Sequence, residues 1–264
     1  MLAASLTFIL LLGVAAFAAP VLSPYTPTAQ DLDSRLLPPG SPGHVLGTDD
    51  FGRDVYTRIV FGTRSALLVG VVSVGIAVAI GLFVGLSAGL VRGFVENVLM
   101  LLMDGVLSFP TIILAITVVS VFGYGLTQVM VAVGIVFSPV FARLIRAETL
   151  AITAEGYVES AKALGTPVRR IITLHIIPNM LPKLIVQSSI VFALAVAIEA
   201  SLSFLGLGTQ PPNPSWGLML KDARNFLFQA PWLALYPGLA IAATVLAFNL
   251  TGDALSELID PRGR

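Results

Sequence analysis

The sequence predicts an all-α polytopic membrane protein with about six transmembrane helices, and three observations carry that prediction. Hydrophobic residues make up 56% of the 264-residue chain and charged residues only 11%, whereas a soluble domain carries roughly a quarter charged residues. Mean hydropathy is +0.92. Long uncharged runs recur along the chain at about the 20-residue length that crosses a hydrocarbon core. The formal net charge is zero, so bulk charge gives no basis for nucleic-acid binding. With no cysteine, disulfides, thiolate metal sites and thiol redox chemistry are excluded.

The first expected span is Leu2–Ala19. Ala16-Phe17-Ala18 looks like a signal-peptidase site, but no Lys or Arg precedes the apolar run, so a retained helix is expected. The segment from Pro20 to about Gly52 is rich in Pro, Asp and Gly, which favour turns and extended backbone. From Arg53 to Thr63, Val55, Tyr56, Ile59, Val60 and Phe61 mix with Asp54 and Arg58, a pattern that suits a short amphipathic helix at the membrane surface. Asp49, Asp50 and Asp54 could be cation ligands. A calcium site would want more oxygens at regular spacing, so a turn pinned by Asp–Arg pairs is expected.

The second span, Ser65–Val91, contains Gly81, Gly85 and Gly89 at four-residue spacing. Small residues so placed let helix backbones approach closely. The third, Asn97–Phe122, holds Asp104 and, nearly two turns on, Pro110, where a kink is expected. An acid at membrane depth faces the bundle interior or a water-filled cavity. Asp104 is therefore a pathway residue, a proton site or an ion-pair partner of Arg143 or Arg146, with pairing preferred. The fourth span is Leu126–Ala142.

The stretch Glu155–Pro178 is a charged, helix-patterned island. Tyr157, Val158, Ala161 and Leu164 recur at helical spacing. Gly165 suits the left-handed residue that ends a helix, and Thr166-Pro167 reads as N-cap and first position of a second. Two short helices meeting at a glycine elbow are expected.

The fifth span, Leu184–Leu205, carries Glu199 near its end, with the same alternatives as Asp104. The Pro-rich stretch Gln210–Ser215 cannot continue the helix. Trp216 and Trp232 suit an interfacial aromatic belt bracketing a loop that exposes Lys221 and Asp222. The sixth span is Trp232–Gly252. With the N-terminus inside, the inner segments hold Arg92, Arg143, Arg146, Lys162, Arg169, Arg170, Lys183, Arg262 and Arg264. The outer ones hold Arg35, Arg53, Arg58, Arg64, Lys221 and Arg224. The excess places the island in the cytoplasm.

Glu159-Ser160-Ala161, Gly165 and His175-Ile176-Ile177-Pro178 resemble the Glu-Ala-Ala loop of ABC importer permeases, with all three spacings kept and Ser, His and Ile as departures. The stretch His44–Val55 with Arg58 and Gly62–Ser65 resembles the signature before the core domain of the dipeptide, oligopeptide and nickel importer permeases, in the form of the C-type subunit rather than its B-type partner. Glu199–Gly208 with Gln210–Gly217, and Gly252–Arg262, are similar to the same group.

The resemblance implies a type I ABC importer permease fold in a prokaryotic inner membrane, with both termini cytoplasmic. Residues 1–62 would form the first helix and an extracytoplasmic segment, 63–256 the permease core with a coupling loop at about 147–181, and 257–264 a cytoplasmic tail. It implies that Tyr157, Glu159, Ser160, Ala161, Leu164, Gly165 and Arg169 couple to ATPase subunits. Gln210, Asn213, Trp216, Lys221 and Asp222 would form a contact loop for an extracytoplasmic solute-binding protein. The partners implied are a second, B-type permease, two cytoplasmic ABC ATPases and that binding protein, with ATP and Mg on the ATPases and no cofactor on this chain.

No Gly-Lys pair exists in the sequence, so there is no P-loop. His-Glu-x-x-His is absent, and His44 and His175, the two histidines, fall on opposite sides of the expected membrane. The chain is expected not to be an enzyme by itself. A nickel or metal-chelate importer is the alternative to peptides, and an ion-coupled transporter or channel using Asp104 and Glu199 the distant one.

Overall fold

The computed structural model describes residues 2–259, which are helical throughout their apolar runs and form no β-sheet. Met1 and residues 260–264 lie outside that range, and with them Arg262, Arg264 and most of the expected tail.

Helix α1 (Leu2–Leu22) packs against α2 (Val55–Leu90) and α10 (Trp232–Ile259). Ser5 accepts a hydrogen bond from Thr251 Oγ1 at 3.0 Å, and Ala16 and Ala19 are buried. Pro20 has no N–H to offer the carbonyl of Ala16. Arg64 fills the gap from α2, donating Nε to Ala16 O and Nη2 to Phe17 O. The Ala16-Phe17-Ala18 stretch therefore lies within a continuous helix, with Ala16 buried and Phe17 facing outward.

Helix α2 (Val55–Leu90) is 36 residues long, about 54 Å at 1.5 Å per residue, and far exceeds a hydrocarbon core of about 30 Å. The short surface helix expected over Arg53–Thr63 is instead its first turns, and the 62/63 boundary falls inside it. No proline interrupts Val55–Ser65, and Asp54 caps the helix start, accepting from Thr57 N at 2.7 Å.

Between α2 and α5 (Leu126–Thr153) the backbones nearly touch. A Cβ on Gly81 would sit 2.5 Å from Phe141 Cβ, and one on Gly89 2.7 Å from Thr149 Cβ. The four-residue glycine spacing thus makes one seam, as expected. Gly134 repeats it from the other side, 2.6 Å from Ile76 Cβ.

The third expected span is a correction. It is two helices, α3 (Phe94–Leu107) and α4 (Thr111–Phe122), that meet at 95°. Pro110 removes one helical donor and constrains Phe109 before it, and the chain turns a corner rather than kinking. No residue of α3 is buried in the single chain. Asp104, expected as a buried acid, is consequently half exposed; its Oδ1 accepts from Arg143 Nη2 at 2.7 Å. Arg146 pairs with Glu96 one helix end away. The half-exposed Asp104–Arg143 pair, worth about 0–1 kcal/mol, and the more covered Glu96–Arg146 pair tie α3 to α5.

The fifth expected span also starts earlier. After α6 (Gly156–Ala163) and the elbow, α7 (Val168–Ile171) passes through one wide turn, in which Ile177 N–H bonds Ile172 O, directly into α8 (Ile177–Phe204). The second short helix is thus the first turn of the span. Pro178 accounts for the wide turn: its ring crowds the carbonyl of Leu174 and gives it no donor. Helix α9 (Trp216–Ala223) and α10 (Trp232–Ile259) complete the described residues, the last running through the 256/257 boundary.

Candidate coupling site

The charged island occupies the end of the bundle where α2 gives way to α3. Helix α6 closes at Gly165, whose φ of 77° is the left-handed conformation expected of it. Thr166 N donates to Ala161 O and Gly165 N to Lys162 O, each at 3.0 Å, so the last carbonyls are satisfied. The next helix begins one residue later than expected: Pro167, not Thr166, holds the N-cap position, and its carbonyl accepts from Arg170 and Ile171.

Of the four residues placed on one face of α6, only Val158 is fully buried; it joins the hydrophobic core that includes Ile152, Ile171, Ile176 and Met180. Leu164 is 86% exposed and Tyr157 49%. Glu159, Ser160 and Arg169 are exposed as well, and Ala161 is partly covered. The seven residues therefore lie on one compact protrusion that presents apolar side chains among charges. In addition, Lys183 of α8 donates to Glu148 of α5 at 2.6 Å, a pair that the sequence did not reveal because the partners are 35 positions apart.

At the opposite end, the Asp–Arg turn has the expected pairing. Arg53 Nε donates to Asp49 Oδ2 at 2.6 Å, and Arg58, 1% exposed, lies 3.5 Å from the same oxygen and donates to Pro27 O at 3.1 Å. His44 Nδ1 contacts Asp54 Oδ1 at 3.0 Å. Asp222 of α9 joins this group, 3.7 Å from Arg53. Burial pushes the carboxyls of Asp50 and Asp222 up, with Asp49 adding to the rise at Asp50 and Arg53 opposing it at both. No grouping of these residues has metal-site geometry among the described residues.

The expected outer contact loop divides. Gln210 and Asn213 line a cleft of about 630 Å³ with Arg64, Tyr124, Gln128 and Thr209. Lys221 is exposed beside Gly206. Trp216 is a correction: it is buried, its Nε1 donates to Ile59 O at 3.0 Å, and it packs with Val55, Phe192 and Leu233 instead of facing an interface. A buried indole needs an acceptor, and the overlong α2 supplies one.

Glu199 is 2% exposed. Its Oε1 accepts from Ser203 Oγ at 2.7 Å and Thr209 Oγ1 at 3.3 Å, while Thr209 N donates to Ser203 Oγ at 3.0 Å. The carboxyl thereby pins the turn after α8, which Gly206 (φ 85°) closes.

Residues 81–264 match the family described as binding-protein-dependent transport system inner membrane component, and residues 1–39 match the N-terminal TM domain of oligopeptide transport permease C. Curated relatives include the dipeptide transport system permease protein DppC of Escherichia coli (strain K12), 43% identical over 97% of this chain and 87% of that protein. The glutathione transport system permease protein GsiD of Pectobacterium atrosepticum is 43% identical over 97% of this chain and 85% of that protein. The DppC protein of Alkalihalophilus pseudofirmus is 41% identical over 92% and 80%. Among solved structures, an inward-facing MetNI methionine ABC transporter superposes with a TM-score of 0.63 at 20% identity, over 77% of this chain and 96% of that one. An amino acid ABC transporter superposes at 0.56 and 21%, over 78% and 95%. At those identities the likeness speaks for the fold.

Proposed function

This chain belongs to the binding-protein-dependent transport system inner membrane components, a multi-pass permease family, and from that premise we propose that it forms half of the translocation pathway of an ATP-driven importer for dipeptides or short oligopeptides. The peptide assignment is supported by relatives around 40% identical across most of the chain that are named for dipeptide, peptide or glutathione transport. A B-type permease forms the other half, two cytoplasmic ATPases bind ATP and Mg, and an extracytoplasmic solute-binding protein delivers the substrate. Both termini and the α6 protrusion face the cytoplasm.

The observation that carries the mechanism is the α6 protrusion with its exposed Tyr157 and Leu164. Apolar side chains held in water beside charges suit insertion into a partner, and closure of an ATPase pair would push on them. Glu159, Ser160 and Ala161 lie on the same helix, Gly165 folds it back, and Arg169 begins the return into α8. Gln210, Asn213, Lys221 and Asp222 remain the outer residues closest to the binding protein. Transport requires that ATP binding favour one permease arrangement over the other by a differential free energy.

Asp104 and Glu199 act structurally in this account. Each has its partner inside the chain, Arg143 for one and the Ser203–Thr209 hydroxyls for the other. Reconstitution of the full complex in proteoliposomes is the test. Labelled dipeptide should accumulate only with ATP inside and binding protein outside. Accumulation of nickel in place of dipeptide would move the substrate to metal, and uptake driven by a proton gradient without ATPases would refute the proposal.

A further inference from the structure

Two soft points separate α6 from the rigid part of α8. One is Gly165, whose would-be Cβ meets nothing within 4 Å, so nothing packs on the elbow residue itself and only Val158 anchors α6 in the core beyond it. The other is the wide turn at Ile172–Ile176, with only Thr166, Pro167 and the four residues of α7 between them. A push on α6 carried by the backbone alone would be absorbed by bending at these points.

A set of side chains bridges both. Asn179, in the first turn of α8, donates Nδ2 to the Tyr157 hydroxyl at 3.3 Å and to the carbonyl of His175 at 2.6 Å. An amide nitrogen has two protons, so both bonds can exist together. The Tyr157 and His175 rings lie 5.6 Å apart, tilted by 58°, a favourable aromatic arrangement. Tyr157 therefore touches α8 on one side and remains half exposed on the other.

We infer that Tyr157 and Asn179 form a latch that makes α6 and the start of α8 move as one body, bypassing the elbow and the wide turn. Asn179 is a positioning residue: it acts through Tyr157. The inference rests on the coupling role proposed above. Its consequence is specific, because Asn179→Ala, outside the residues assigned to the ATPase contact, should leave ATP hydrolysis intact while less of the movement reaches the span.

The test compares Tyr157→Phe, Asn179→Ala and the double variant in the reconstituted complex, measuring uptake per ATP hydrolysed. A single neutral hydrogen bond corresponds to a change of about two- to twelve-fold, so each single variant should lower the ratio by a factor in that range. The double variant should lose no more than Asn179→Ala alone, since Tyr157→Phe removes only the Tyr157–Asn179 bond that Asn179→Ala already removes. A purely local structural role would reduce the amount of assembled complex and leave the ratio unchanged. Wild-type ratios in both singles, or losses that multiply in the double, would overturn the latch. Gly165→Val run in parallel separates the two ideas: if it uncouples while the latch variants do not, only the latch falls, and if it too transports normally, the coupling reading falls with it.

Discussion

Gly85→Leu is expected to destabilise this chain strongly, whereas Gly75→Leu on the same helix is expected to be tolerated. A Cβ at Gly85 would lie 2.7 Å from Ala142 O and 2.8 Å from Ile145 Cβ, with nothing at the far end of a flexible side chain to give way. The remaining leucine atoms would have to enter the seam where Gly81 meets Phe141 and Gly89 meets Thr149, so α2 and α5 would separate along their length. Overpacking of a close-packed core costs about 1–3 kcal/mol and occasionally more, and here the added volume meets backbone. Against a total stability of about 5–15 kcal/mol, that is a large fraction, and a markedly lower unfolding temperature in mild detergent is expected. Gly75 has nothing within 4 Å of its would-be Cβ, and its leucine variant should unfold near the temperature of the unaltered chain.

The second large effect is functional. Gly165→Val should cut uptake at least about ten-fold while ATP hydrolysis by the assembled complex continues. At φ 77° a β-branched residue is a backbone outlier costing about 1–3 kcal/mol, and the absence of neighbours means the cost is conformational, with no clash. The chain would relieve it by swinging α6 away from α8, breaking the contacts of Val158 and Tyr157. Gly165→Asn should be milder, because asparagine visits the left-handed region more readily. Uptake per ATP in the order Gly, Asn, Val is the checkable outcome; equal ratios for all three would remove the elbow from the mechanism.

Much of this architecture is legible in the sequence because its causes are local. Uncharged runs mark the membrane helices, the Gly81–Gly89 spacing marks the seam, and Gly165 followed by Thr166-Pro167 marks the elbow to within one residue. The misreadings share a different cause. That Arg58 is buried in a continuous α2 depends on Pro27 O and Asp49, and that Trp216 points inward depends on Ile59 O, 157 positions away. The corner between α3 and α4 has a local cause in Pro110, but its 95° magnitude is set by how both helices lie on α5. Asn179, next to Pro178 of the loop motif, carries no local signal of its contact. Its role is visible only once the elbow brings Tyr157 back to α8.

The central claim is that α6 is the surface on which an ATPase subunit acts. The chain has no cysteine, so single cysteines introduced into it report their own positions. Leu164→Cys, in the complete complex in native membranes, should cross-link to an ATPase subunit with a short bifunctional reagent, and the yield should change when ATP is bound. Phe228→Cys, fully exposed at the opposite end, should give no such product. Absence of an ATPase adduct at Leu164, or its appearance at Phe228, would contradict the account.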